Sequence, residues 1–164
     1  MIALKHILVP TDFSEPSATA LRYGRDLARS YGATLHVLHV AEDLITRYAL
    51  DMYPTGIDEM QEDLEKSAKQ RLNALVSDED RVQLRAKPIV WTSNQTAAAI
   101  AEYAAQHDID LIVMGTHGRT GMSHMFMGSV AERVVRGAGC PVLTVRAPER
   151  EFIAPDALVS AARV

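Results

Sequence analysis

Asp110-Leu111-Ile112-Val113-Met114-Gly115-Thr116-His117-Gly118-Arg119-Thr120-Gly121 is the stretch that decides the fold. Its first part is an unbroken apolar run behind one acid, the pattern of a strand buried on both faces of a parallel sheet. Such a strand needs helices on each side, and its flanks supply them. Upstream, residues 96–107 read as an Ala-rich helix with Ile100, Ala101, Ala104 and Ala105 on one face. Downstream, residues 129–138 read as a helix, and Pro141-Val142-Leu143-Thr144-Val145-Arg146 as a closing strand.

The same alternation runs back to the N-terminus. Residues 5–10 read as a short buried strand ended by Pro10, and Pro16 suits the first turn of the next helix. Leu21, Gly24, Leu27, Ala28 and Tyr31 recur at helical spacing, and Gly32 stops that helix. Residues 34–40 (TLHVLHV) read as a second strand, and residues 41–56 as a long connection with room for a helical turn. Ile57, Met60, Leu64, Ala68, Leu72 and Leu75 mark one face of a long helix whose other face is charged and solvated. Residues 77–80 are a polar break, and residues 85–91 a third strand that Pro88 assigns to a sheet edge. The expected architecture is a single α/β domain with a Rossmann-like open parallel five-stranded sheet, order 3-2-1-4-5, and helices on both faces. The domain is expected over residues 1–147, with a C-terminal tail over residues 148–164.

In that order strands one and four are neighbours, and the chain reverses direction between them. Ligands of open α/β sheets bind at such a switch point, beyond the carboxyl ends of the strands. The segments leaving those ends are Pro10-Thr11-Asp12, which offers a carboxylate, and the loop from Gly115 to Gly128, which offers backbone. Gly115, Gly118 and Gly128 let main-chain N–H groups approach an anion, and Gly128-Ser129 opens a helix whose dipole favours phosphate. Arg119 lies in the same loop, placed to cover a polyphosphate. Simpler roles compete. Asp12 could cap the first helix, and Ser129-x-x-Glu132 is a capping-box pattern. Met122, Met125, Phe126 and Met127 suit an apolar flap or a subunit contact, His117 is as well explained as a solvated loop residue, and Cys140 reads as a small buried hydrophobe.

Other chemistries are disfavoured. With 164 residues, 48% hydrophobic and 23% charged, the chain has the composition of one globular domain. Lys plus Arg is 17 against 21 Asp plus Glu, a net charge of −4 that argues against nucleic acid as a partner. One cysteine allows no internal disulfide. No leader or membrane segment is visible, so a cytoplasmic location without a membrane partner is the expectation. His36 and His39 fall on opposite faces of their strand and cannot share a metal. There is no P-loop ending, no G-x-G-x-x-G after the first strand and no G-x-S-x-G elbow.

The spacing Gly115-x2-Gly118-x9-Gly128-Ser129, set between the 110–114 strand and Cys140-Pro141-Val142, resembles the ATP-binding motif of the universal stress protein family. Gly128-Ser129-Val130-Ala131-Glu132-Arg133-Val134 and the opening Ile7-Leu8-Val9-Pro10-Thr11-Asp12-Phe13-Ser14 resemble the same family. The resemblance covers about residues 4–147. It implies that Asp12 holds the nucleoside end, with Pro10 and Thr11 along that wall, and that Val40 meets adenine through its backbone. It further implies a ribose–phosphate path along Met114, Gly115 and Gly118, and phosphates at Gly128, Ser129 and Val130. ATP with Mg²⁺ or Mn²⁺ is the implied ligand. The family's frequent glycine after strand three is replaced here by Thr92-Ser93-Asn94-Gln95. A regulatory stress-response module is the function expected; a slow ATPase or phosphotransferase, or a nucleotide-free interaction protein, are the alternatives. The apolar edge strand Val142-Leu143-Thr144-Val145 adds the expectation of a homodimer.

Overall fold

The structure is a computed structural model that describes residues 1–49, 55–116 and 127–146. His117, Gly118, Arg119, most of the Met/Phe cluster and the C-terminal tail lie outside the described residues. In chain order the elements are β1 (His6–Pro10), α1 (Glu15–Tyr31), β2 (Thr34–Ala41), α2 (Leu44–Tyr48), α3 (Ile57–Leu75) and α4 (Asp78–Gln83). There follow β3 (Lys87–Thr92), α5 (Thr96–Gln106), β4 (Leu111–Gly115), α6 (Ser129–Gly137) and β5 (Val142–Val145). The sheet is all parallel in the order β3-β2-β1-β4-β5, as the strand pattern predicts.

Alternation along the strands divides the core. Ile7, Val9, Leu35, Val37 and Val113 pack with α1, and with Leu72 of α3, on one face. Leu8, Leu38, Ile112 and Met114 pack with α5 and α6 on the other. Gly24 marks where α1 lies closest to the sheet, because a Cβ there would sit 2.4 Å from Val9 Cγ2. Gly32 ends α1 in the left-handed conformation (φ 65°), where glycine carries no Cβ penalty.

Three expectations need correction. Met60 is 56% exposed, and the buried neighbour on α3 is Gln61. Its Oε1 accepts the Leu44 N–H at the start of α2, and its Nε2 donates to Glu65, so a polar side chain is buried because it satisfies a helix end. On α5 the inward face is Ala99, Ile100, Tyr103 and Ala104, rotated from the expected one; Ala105 is exposed. Alanine gives the helix little amphipathic contrast, and Tyr103 decides the rotation. The polar break after α3 is a short helix, α4, begun by a capping box between Ser77 and Asp80. Asn94, in the turn after β3, is not left-handed among the described residues. It instead exchanges two hydrogen bonds with the Asp43 backbone (3.1 and 2.9 Å) and ties the loops after β2 and β3 together.

At the amino end of the sheet His36 is 1% exposed, between His6 Nδ1 (3.1 Å) and the Tyr103 hydroxyl (2.8 Å). Burial, then the positive charges of Lys87, His6 and His107, push its pKa down to about 4. The folded protein therefore binds fewer protons than the unfolded chain between pH 6.5 and about 4, so stability is full above 6.5 and is lost as pH falls. Between pH 7.5 and 5 the expected loss is about 2 kcal/mol. Urea unfolding at both values checks this: His36→Gln is expected to flatten the dependence, and an equal slope in the variant would refute the assignment. His39 lies on the other face, against Phe13, as the spacing requires.

Candidate nucleotide site at the switch point

The β1–β4 pairing is limited to Ile7–Leu111 and Leu8–Ile112. Beyond it the two strands run on without pairing, and a cavity of about 380 Å³ opens over their carboxyl ends. That size suits a small-molecule site. Pro10, Thr11, Asp12, Val40, Met114, Gly115, Gly128, Ser129 and Val130 all line it. Gly118 and Arg119 are the two expected site residues outside the described residues.

The turn after β1 is held from several sides. Thr11 N–H donates to Leu38 O (2.8 Å), Thr11 Oγ1 accepts from Phe13 N–H (3.0 Å), and His39 Nδ1 donates to Thr11 O (2.8 Å). Asp12 Oδ1 accepts from the backbone N–H and the hydroxyl of Ser14. Asp12 is thus not the cap of α1; Ser14 is, through the N–H of Ser17. Phe13 stands at φ 64°, a left-handed conformation that costs a non-glycine residue roughly 1–2 kcal/mol.

Val40 contributes backbone. Thr34 N–H donates to Lys5 O, and Leu38 O accepts from Thr11, so the even-numbered residues of β2 face β1. The next in that series is Val40, past the end of β1, and its N–H and C=O therefore turn toward the crevice. Opposite lies the start of α6. Gly128 is the N-cap, with φ −72° and ψ 155° and no side-chain cap bond. The expected Ser129–Glu132 capping box is absent, because the helix starts one residue earlier than that box requires and Ser129 is already inside it. The first-turn N–H groups of Ser129, Val130 and Ala131 sit at the cavity wall without a capping side chain.

The glycines act through space, not through special dihedrals. Among the described glycines only Gly32 and Gly56 have positive φ. A Cβ on Gly115 would lie 3.0 Å from Pro16 backbone atoms, so Gly115 allows the close approach of α1 to β4. Gly128 lines the cavity with no side chain of its own. The cavity also takes in Ser17, His39, Thr96 and Thr116, which the sequence reading did not single out. Thr116 and His39 adjoin expected residues, and Thr96 begins the helix after β3; proximity to strand ends was the available signal. Cys140 is half-buried against the α5–α6 core, and burial, then the Asp110 charge, raises its thiol pKa, as befits a structural cysteine.

These features define a doubly wound α/β protein with a cavity at its topological switch point. The sequence matches the universal stress protein family over residues 3–146, and the chain belongs to that family. Universal stress protein MJ0531 of Methanocaldococcus jannaschii is 32% identical over 153 residues, covering 90% of this chain and 85% of the relative. The solved structure of MJ0577, from the same organism, superposes with a TM-score of 0.77 at 26% identity, covering 91% of this chain and all of that one. A universal stress protein of Archaeoglobus fulgidus, solved in complex with dAMP, shares the fold at 20% identity and a TM-score of 0.58, with 88% and 98% coverage. Among the described residues no helix is long and apolar enough to cross a membrane.

Proposed function

We propose that this chain binds an adenine nucleotide, ATP with Mg²⁺ or Mn²⁺, in the switch-point cavity and works as a regulatory module. Nucleotide occupancy would bias its shape and choice of partner through differential binding. The observation that carries this reading is one cavity with different chemistry on its two sides. On the β2 side, the Val40 N–H and C=O match the acceptor and donor on adenine's edge, and Asp12 suits ribose hydroxyls. On the α6 side, the uncapped N–H groups after Gly128 suit phosphate oxygens. Asp12 belongs with the nucleoside, because a carboxylate beside a triphosphate would be repelled. Among the described residues no group of three His, Cys, Asp or Glu side chains is placed to hold a metal ion. The cation enters as the counter-charge of the bound phosphates.

Calorimetric titration with Mg-ATP and with adenosine tests the reading. The parent is expected to bind both. Gly128→Val is expected to weaken ATP at least tenfold, about 1.4 kcal/mol, and to spare adenosine. Valine tolerates φ −72°, so the variant should keep its fold. Asp12→Ala should weaken ATP and adenosine by a similar factor. A parent that binds neither ligand, or a folded Gly128→Val of unchanged ATP affinity, overturns the proposal. Phosphate release above about one per minute, still below the usual range of enzymes, would make the protein a slow ATPase instead.

A further inference from the structure

Phe13 is not among the residues lining the switch-point cavity, yet it holds an uncommon backbone conformation beside Asp12, on which the proposed nucleoside contact depends. A bulky side chain at φ 64° persists only where its surroundings over-determine it, and such strain gathers at ligand sites. Three contacts do the determining. The Phe13 ring packs on His39, with centroids 4.5 Å apart and planes tilted by 39°. The Arg71 guanidinium carbon lies 3.9 Å over the same ring, and the Phe13 N–H is held by Thr11 Oγ1. His39 is itself fixed, donating from Nδ1 to the Thr11 carbonyl, so the lower layer of the stack is tied to the turn that the upper layers clamp.

We propose that Arg71 and Phe13 are positioning residues for the nucleoside end of the ligand: the Arg71–Phe13–His39 stack holds the 11–14 turn in the form that presents Asp12 to the cavity. This rests on the nucleotide reading above. Arg71 stands in the last turns of α3, a helix that contributes no residue to the cavity lining. The stack therefore makes nucleoside affinity depend on the seating of α3. Without the guanidinium the outer face of the ring meets water, and the turn can relax toward negative φ, carrying Asp12 out of register. The α6 end of the cavity, on the far side of β1, does not share this support.

The test is a set of affinities on folded protein, with circular dichroism and urea midpoints as controls. Arg71→Ala is expected to weaken adenosine and ATP about threefold to fivefold, the scale of a solvent-exposed cation–π contact. Phe13→Ala should weaken them further, and Arg71→Lys should recover most of the loss. Inorganic tripolyphosphate, which probes the α6 end alone, should bind all variants alike. A double-mutant cycle read with ATP should show the Arg71→Ala effect vanishing in an Asp12→Ala background, which general loosening of the fold would not produce. Unchanged adenosine affinity in Arg71→Ala, a parallel loss of tripolyphosphate, or an effect that persists without Asp12 overturns the clamp and leaves the nucleotide reading standing. A parent that binds neither adenosine nor ATP overturns both.

Discussion

Asp80→Ala is expected to remove about 3 kcal/mol of folding stability, the lower end of the range for breaking a buried ion pair. Asp80 is 5% exposed and serves two elements at once. Its carboxylate accepts from Arg25 Nε and Nη2 of α1 (2.8–3.1 Å) and from the Ser77 N–H (3.0 Å). Its own N–H donates to Ser77 Oγ (3.1 Å), closing the box that starts α4. Arg25 Nη2 also reaches the Leu75 carbonyl at the end of α3 (2.8 Å), so one guanidinium joins α1, α3 and α4. Alanine would leave that guanidinium half-satisfied and the Ser77 N–H without its carboxylate partner, while the Ser77 Oγ cap on the backbone N–H of position 80 remains. Because the Arg25 side chain is 26% exposed, water recovers part of the loss, which holds the figure near the bottom of the range. Burial opposes ionisation of Asp80, but the Arg25 and Ser77 bonds outweigh it and keep the carboxyl below its usual pKa. This contribution is present above about pH 3.8 and is lost as pH falls through the lowered folded value. Urea unfolding at pH 7 measures it. Asp78→Ala, whose fully exposed side chain lies 3.9 Å from Arg81, is the control and should change stability by less than about 0.5 kcal/mol. A loss below about 1 kcal/mol for Asp80→Ala would mean that solvent replaces the network, as it does for surface pairs.

That network shows where sequence reading stops. Arg25 and Asp80 are 55 positions apart, and no local period links them. The capping box is local, but its partner at the third helical position is Asp rather than the usual Glu or Gln, and it begins a helix of only six residues. Strand order was legible for the opposite reason. Runs such as Ile112-Val113-Met114 demand cover on both faces, and crossover handedness then leaves few arrangements. The cavity lining was legible where it follows from strand ends: Pro10 to Asp12 after β1, Val40 in β2, Met114 and Gly115 in β4, and Gly128 to Val130 at the next helix. The inward roles of Gln61 and Tyr103 were not, because each is set by a polar partner on another element: Leu44 N–H for one, His36 for the other. Phe13 belongs with them. Its left-handed backbone is stabilised by Arg71, 58 residues later, and nothing in Thr11-Asp12-Phe13-Ser14 announces it.

We further propose that a second copy of this chain pairs with β5, and Thr144→Pro is expected to convert the resulting homodimer to monomer. β5 is the sheet edge beyond β4, apolar and β-branched, with no charge or proline within Val142–Val145. An uncovered edge of that kind would invite uncontrolled association, and a two-fold axis satisfies it by pairing the strand with its own copy. The register says which N–H groups are involved. The Pro141 and Val145 carbonyls accept from Ile112 and Thr116 of the β4 segment, so the odd-numbered residues of β5 face inward. Val142 and Thr144 turn their N–H groups outward. Proline at position 144 therefore removes a donor from the outer edge and leaves the β4–β5 ladder whole, as edge strands tolerate. Leu143→Pro removes an inward donor and should instead lower stability, by about 3 kcal/mol if the loss resembles proline in a helix interior. Light scattering at several concentrations gives the mass, with circular dichroism to confirm folding. A parent that stays monomeric at tens of micromolar, or a folded Thr144→Pro that stays dimeric, would rule this edge out as the interface.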